Sequence, residues 1–385
     1  MTALAFVTPE SFQAAADTLA AACSEGRAVW ITGAGTKPWT AGPSDDDPGS
    51  RLGTTGLDRI RAYDPGDMTA TLEAGVTLAA AQERFASEEQ MLALDPPLGA
   101  DRSATIGGIV ATADCGPLAH RYGGPRDLVV GATVALSDGT IARSGGTVIK
   151  NVAGYDIAKL FCGACGTLGL ILSVNVRLHP RRPTATAIAV TSDPRRLADA
   201  ARAVAAMPAE LEALDVAWED GAGSLLAQCA GPQARPRAAR VAEAMREHGL
   251  ADSRVPDDDQ DAELWTRQRD GQRSTQRAVM RVAALPSALA DVIAAGERSQ
   301  ARLVGRAALG HSYLTVDPER VGALREALPA RATAVLRDCP ADARAEIEDP
   351  WGVHPPEPAL ALMRALKRRF DPSATCNPGS FVGGI

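Results

Sequence analysis

The sequence is poor in aromatic residues, which make up 4% of its 385 positions, so alanine, valine and leucine must fill most of any core. It has five histidines, His120, His179, His248, His311 and His354, and no two are close in sequence. No histidine pair therefore stands at metal-ligand spacing. Of seven cysteines only Cys162 and Cys165 form a C-x-x-C pair. Without a second pair they suggest neither a zinc site nor an iron–sulfur run, and they read as ordinary thiols of a reducing compartment. There is no excess of positive charge: 40 basic residues stand against 47 acidic ones, a net charge of −7. That balance argues against a nucleic-acid or anionic-membrane surface. No apolar run reaches the roughly 18 residues of a membrane span. Met1–Thr8 lacks the charged region and apolar run of a secretion signal. The expectation is a cytoplasmic protein with no nucleic-acid partner and no direct membrane insertion.

What is present is more chain than one core usually holds, so two domains are expected. Thr8-Pro9-Glu10 reads as a helix start and residues 28–32 as a short strand. Residues 69–73 alternate as a strand, and Thr77 reads as the cap of a helix running to about Gln90. Residues 99–169 then hold 14 of the 36 glycines, a density that points to tight turns or close backbone approach to a ligand. Residues 129–136, followed by Ser137-Asp138-Gly139-Thr140, predict a strand and hairpin turn, and residues 168–178 another strand. Beyond a linker at 179–183 the order strand, helix, strand, strand, helix runs to about residue 248. A similar order returns from about 277 to 336, suggesting two βαββα units folded against each other. Between them an acidic loop, 257–261, leads into a helix carrying Trp265. Residues 357–370 read as a final amphipathic helix before a Pro/Gly-rich tail.

Three segments carry candidate chemistry. Gly33-Ala34-Gly35-Thr36-Lys37 follows a strand; small residues there either make a plain turn or expose consecutive amides as an anion nest. It is not the dinucleotide fingerprint, because Pro38 stands in the third position. Ala104-Thr105-Ile106-Gly107-Gly108 opens a small-residue helix, read either as close packing or as an anion site at a helix start. The stretch 145–172, GGTVIKNVAGYDIAKLFCGACGTLGLIL, brackets a short helix with glycine turns, and Lys150 and Asn151 supply polar groups.

The ordered set of motifs resembles the FAD-binding subunit of glycolate oxidase, in the vanillyl-alcohol-oxidase (PCMH-type) FAD-binding superfamily. It comprises VWITGAGTKPW at 29–39, TATLEAGVTL at 69–78, the ATIGG stretch, GGPRDLVVGATVALSDG at 123–139, GGTVIKNVAGYDIAKL at 145–160, GTLGLIL at 166–172 and FDPSATCNPGSFVGGI at 370–385. The resemblance implies an α+β fold: a two-part PCMH-type FAD-binding domain over 1–180, a smaller ferredoxin-like cap over 181–350, and a tail, 351–385, returning to the flavin. It implies that Gly33, Ala34, Gly35 and Thr36 cradle the FAD pyrophosphate and that Thr105, Gly107 and Gly108 continue the contact. Gly166, Gly169 and Leu170 would lie along the adenosine or ribityl part. Asn377 would sit near the isoalloxazine ring, or serve only as a turn residue before Pro378. Covalent flavin attachment in the superfamily uses a His or Cys in the first glycine loop. Residues 33–37 hold neither and Cys115 lies outside that loop, so non-covalent FAD is expected.

Catalytic relatives, and the larger subunit of the same oxidase, carry an H-x-G-D-G-N-x-H segment that brings histidines to a metal. Here the corresponding place, Gly305–Tyr313, reads GRAALGHSY, without the acid or the second histidine. No metal site is expected and no catalytic residue is assigned. His311 reads as structural or solvent-facing; Arg121 either faces a ligand or lies on the surface; Tyr155 and Asp156 begin a helix that Asp156 would cap. The expected partners are a larger FAD-containing subunit, an iron–sulfur subunit and a small 2-hydroxy acid, with the complex peripheral at the inner membrane. A self-sufficient dehydrogenase of another 2-hydroxy acid, or a scaffold with a retained flavin fold, are the alternatives.

Overall fold

The computed structural model describes residues 6–37, 50–99, 101–146, 156–344, 346–347 and 349–385. They divide into two compact units: Met1–Cys115, Gly123–Arg181 and His354–Ile385 form the first, Gly116–Tyr122 and Arg182–Val353 the second. The sequence reading puts residues 116–122 in the first domain, whereas their contacts lie in the second. The Tyr122 hydroxyl donates to Glu212 Oε1 at 2.6 Å, and Gly116 O accepts from Arg306 Nε at 3.0 Å.

In the first unit, β1 (Phe6–Val7), β2 (Val29–Thr32) and β3 (Ser50–Gly53) form a parallel sheet in the order β1-β3-β2. Helix α1 (Phe12–Ser24) starts at Ser11, whose hydroxyl accepts from Ala14 N, and not at Thr8. Thr8-Pro9 lies instead against Gly56, where an added Cβ would stand 2.7 Å from Pro9 O. Along α1 the residues Ala15, Ala16, Leu19 and Ala22 face inward against Val29, Leu52 and Leu170. This is the apolar stripe of a helix packed on one side. The remaining strands are β4 (Ile60–Asp64), β5 (Thr69–Glu73), β6 (Gln90–Met91), β7 (Val129–Ala135), β8 (Ile141–Gly145), β9 (Leu170–Arg177) and β10 (His179–Pro180). Five of them build an antiparallel sheet in the order β4-β5-β9-β7-β8, while β6 pairs with β10 inside the expected linker. The β7–β8 hairpin closes where Gly139 takes a φ of +83°, a conformation that side chains resist. Helix α2 (Leu78–Ala86) is capped by Thr77 and ends before Gln90; α3 (Ile106–Ala111) is capped by Thr105.

Three short helices follow, α4 (Ala119–Tyr122), α5 (Pro125–Leu128) and α6 (Ala158–Phe161). In the second unit β11 (Thr184–Thr191), α7 (Pro194–Ala205), β12 (Leu211–Glu219), β13 (Ala222–Ala230) and α8 (Ala234–Glu247) form the first βαββα unit. After α9 (Asp258–Asp270) come β14 (Ala278–Ala283), α10 (Leu289–Arg298), β15 (Arg302–Arg306), β16 (His311–Val316), α11 (Val321–Ala327) and β17 (Thr333–Asp338). Each repeat places its third strand between its first and second, giving β11-β13-β12 and β15-β16-β14, and an antiparallel β12–β15 pair joins them into one sheet. Leu214, Val216, Leu225, Leu303, Leu314 and Leu336 point to one face of that sheet, into a core shared with helix residues such as Leu197, Val241, Ile293 and Leu324. The acidic residues 257–261 are the cap and first turn of α9, with Asp257 accepting from Gln260 N. There negative charge is favoured by the helix dipole. Two helices close the chain, α12 (Ala341–Arg344) and α13 (Glu357–Phe370).

Candidate functional site

One cleft of the first unit gathers the three glycine segments. Its lining includes Gly33, Ala34, Gly35, Thr36, Thr105, Gly107, Gly108, Gly166, Gly169, Leu170 and Asn377, together with Lys37, Thr54 and Cys165. Lys150, Asn151 and Tyr155 lie outside the described residues.

The segments do different things. The first loop leaves β2, and Gly35 takes a φ of +71°. Among the described residues the amides of Gly33, Ala34 and Gly35 donate to no protein acceptor, and Ala34 and Gly35 are exposed. Such a run of open amides is a nest for an anion. The loop is held at its far end by a buried ion pair, Lys37 Nζ to Asp114 Oδ2 at 2.9 Å, with both side chains about as deep as core residues.

The second segment supplies space instead of donors. Ile106 N donates to Val76 O and Gly107 N to Ala74 O, each at 2.8 Å, and Gly108 N donates to Thr105 Oγ1 at 3.3 Å. These amides are engaged inside the unit. An anion contact through the amides of Gly107 and Gly108, as the sequence suggests, would break those bonds. The Thr105 hydroxyl is likewise a helix cap. It lies so close to the first loop that a Cβ on Gly33 would stand 2.2 Å from Thr105 Oγ1. A Cβ on Gly107 would stand 2.7 Å from Ala74 Cβ. The two glycines let strand, loop and helix close on one another.

The third segment turns three times through positive φ, at Gly163 (+84°), Cys165 (+53°) and Gly166 (+74°), before Gly169 leads into β9. Gly163 N donates to Val110 O and Cys165 N to Ala111 O, tying this loop to the end of α3. Leu170 lines the cleft and also packs in the core beneath α1.

Asn377 closes the ring. Its Oδ1 accepts from Ile31 N at 2.6 Å and its Nδ2 donates to Cys165 O at 2.7 Å. Its backbone donates to Val29 O at 3.0 Å, extending β2. The residue is buried with a φ of +41°. Sequence reasoning missed Lys37–Asp114, Thr54 and a second buried pair, Lys367–Asp371, whose members meet at 2.6 Å beneath this turn.

The cleft fits FAD on its own terms. The Thr54 hydroxyl is buried without a hydrogen-bond partner among the described residues, leaving a polar group for a ligand to satisfy. Open amides suit a diphosphate, and the residues around them are small.

The other candidates lie elsewhere. Arg121 is exposed, with its guanidinium 5.9 Å from the Tyr122 ring. Asp156 caps nothing: α6 begins at Ala158, and Asp156 Oδ2 pairs with Lys159 Nζ at 2.9 Å near the surface. His311 opens β16, where burial, with Arg281 and Arg306 nearby, lowers its pKa to about 4. Burial raises the Cys162 thiol to about 11, so it is not a reactive thiolate at neutral pH. Among the described residues no three His, Cys, Asp or Glu side chains group as metal ligands, and no helix is long and apolar enough to cross a membrane.

Comparison with known proteins agrees with this geometry. Residues 3–145 match the FAD binding domain model and residues 353–381 the model of the C-terminal domain of FAD linked oxidases. The glycolate oxidase subunit GlcE of Escherichia coli (strain K12) is 37% identical over 119 residues, 31% of this chain and 34% of that protein. The subunit GlcD of Bacillus subtilis (strain 168) is 37% identical over 129 residues, 33% of this chain and 27% of that protein. A D-lactate dehydrogenase of Archaeoglobus fulgidus is 33% identical over 162 residues, 42% of this chain and 35% of that protein. The matched stretches thus span about a third of each relative. Chitooligosaccharide oxidase shares the fold, with a TM-score of 0.71 at 15% identity over 96% of this chain and 89% of that one. Alkyldihydroxyacetonephosphate synthase does so with a TM-score of 0.70 at 13% identity over 97% and 75%. The chain is thus an α+β protein whose residues 3–145 are similar to FAD binding domains and whose residues 353–381 are similar to the C-terminal domain of FAD linked oxidases.

Proposed function

We propose that this chain is the FAD-binding subunit of a glycolate oxidase (dehydrogenase) complex. Glycolate is oxidised to glyoxylate by that complex, and the electrons pass through a larger FAD-containing subunit and an iron–sulfur subunit to a membrane acceptor. The observation that carries the reading is the pairing of open amides at Gly33–Gly35 with a wall of glycines. This is a surface built to hold a dinucleotide. Bound there without a covalent link, FAD supplies the two-electron acceptor for the oxidation of a C–H bond beside a hydroxyl. The first-loop amides would hold the diphosphate, the Lys37–Asp114 pair would anchor the end of that loop, and the Thr54 hydroxyl would offer a further hydrogen bond. Gly33, Gly107 and Gly166 keep the walls close, and Asn377 fixes the loop that forms one of them. The likeness to a glycolate oxidase subunit supports the substrate and the partners.

The test has two parts. The purified chain is precipitated with acid, and the released flavin is identified by chromatography. FAD in the supernatant is expected; flavin kept in the pellet would overturn the non-covalent reading and direct attention to Cys165 at the cleft wall. The FAD-loaded chain is then assayed for dye reduction with glycolate and D-lactate, alone and with co-expressed partners. Turnover only with partners is expected, and robust turnover alone would make the chain a self-sufficient dehydrogenase.

A further inference from the structure

We infer that Lys367 and Asp371 are positioning residues of the FAD cleft, acting through the turn that carries Asn377. This rests on the reading of the cleft given above. Helix α13 spans 14 residues, yet its one buried residue is a lysine. A helix that docks through an ammonium group does so for what the ammonium holds, because burying a charge is unfavourable unless every proton finds an acceptor.

Here each does. Lys367 Nζ donates to Thr167 O at 2.7 Å, to Asp371 Oδ2 at 2.6 Å and to Cys376 O at 2.9 Å. The Asp371 side chain is 0% exposed. Its Oδ1 accepts from Thr375 N at 3.0 Å, and its Oδ2 also accepts from Cys376 N at 2.8 Å. The pair thus fixes three pieces of backbone beside the cleft. Thr167 belongs to the loop that presents Gly166. Thr375 O accepts from Val29 N at 2.7 Å, at the start of the strand that carries the first glycine loop. Cys376 immediately precedes Asn377, whose carboxamide joins Ile31 to Cys165. The first and third walls of the cleft are therefore joined at one buried charge pair, beneath a turn whose Asn377 lies 346 residues along the chain from Ile31. Neither side chain is among the residues lining the cleft, so any effect on the cofactor passes through Asn377 and the 165–169 loop.

The experiment uses the full chain and FAD. Wild type, Lys367→Met, Asp371→Asn and Asn377→Ala are titrated with FAD. The visible circular dichroism of the bound flavin is recorded at saturation, and apo-protein melting is measured in parallel. The expected result is at least a tenfold rise in the FAD Kd for both pair variants, with a visible spectrum that stays altered at saturation. Adding Asn377→Ala to Asp371→Asn should then weaken binding by less than threefold more, since both act on one wall. Variants that melt earlier but bind FAD with wild-type affinity and spectrum would overturn the positioning role. A wild-type chain that takes up no FAD would overturn the cleft reading and this inference with it. Should neither pair variant accumulate folded, hydrogen exchange on the wild type decides. FAD should slow exchange at the amides of Cys165, Thr375 and Cys376, and unchanged rates there would refute the coupling.

Discussion

Gly166 tests the cleft with a single methyl group. Its φ of +74° puts it in the left-handed region, and an added Cβ would stand 2.7 Å from Asn377 Nδ2. Asn377 cannot yield cheaply, because its carboxamide is fixed by bonds of 2.6 and 2.7 Å to Ile31 N and Cys165 O. Gly166→Ala therefore carries two costs. The left-handed backbone costs about 1–2 kcal/mol for a residue with a Cβ. Displacing Asn377 weakens two hydrogen bonds at about 0.5–1.5 kcal/mol each. Gly221, in the second unit, separates the two: its φ is +77° and nothing lies within 4 Å of an added Cβ. Gly221→Ala should show the backbone cost alone. The excess for Gly166→Ala is then about 1–3 kcal/mol, or roughly five- to 150-fold in affinity if it falls on binding. Urea melts of the apo protein and FAD titration by flavin fluorescence, run on both variants, distinguish lost stability from lost binding. If Gly166→Ala matches Gly221→Ala in both measurements, Asn377 does not hold the cleft wall.

Gly107→Asp should abolish folding as well as flavin binding, since its side chain would press on Ala74, within 3.0 Å of a backbone oxygen, with no space to turn. Soluble yield and melting report this, and a stable apo protein that has lost only FAD would contradict it. His311 should make the protein acid-sensitive. Its folded pKa lies near 4, below the ordinary 6.5, so the unfolded chain takes up a proton first as pH falls. Stability from this group is intact above pH 6.5 and declines between 6.5 and 4. His311→Gln should lose about 1–2 kcal/mol less than wild type between pH 7 and pH 5, after allowance for the partial exposure of the ring. Equal losses in urea midpoints would refute the assignment.

Local signals were legible where local physics decides. Thr77 caps α2 through a hydroxyl three residues from its donor, β5 spans the residues 69–73 that the sequence suggests, and α13 has the bounds that its sequence suggests. The repeat in the second unit was visible as an order of elements, because each strand must bury one face against the same helical layer. The helix start at Ser11 was not legible. Thr8-Pro9 has the form of a cap, but it lies against Gly56, far along the chain. Long-range pairs were invisible for the same reason. Nothing near Lys37 names Asp114, and nothing near residue 31 names Asn377. The glycine segments stood out together, yet their chemistry differs. Gly33–Gly35 present amides, whereas Gly107 and Gly108 have theirs engaged by Ala74 and Thr105. A glycine motif shows that the backbone needs room; only the acceptors around it show whether the room is for a ligand or for another strand.

The second unit carries a buried charge of its own. It lies in Gly305–Tyr313, the place nearest in pattern to the histidine segment that the resemblance brings to mind. Here Arg306 is buried, donating from Nε to Gly116 O at 3.0 Å and from a terminal nitrogen to Gln272 Oε1 at 2.7 Å. Its guanidinium also lies 5.0 Å from the centre of the Tyr313 ring. A guanidinium has five donors and no lone pair to offer a metal. Burial first, and then the charges of Arg281 and Arg306, lower the pKa of His311 beside it. Buried and bonded in this way, the guanidinium ties the Gly116 carbonyl and Gln272 to the end of β15. The segment therefore acts as a structural charge on the sheet.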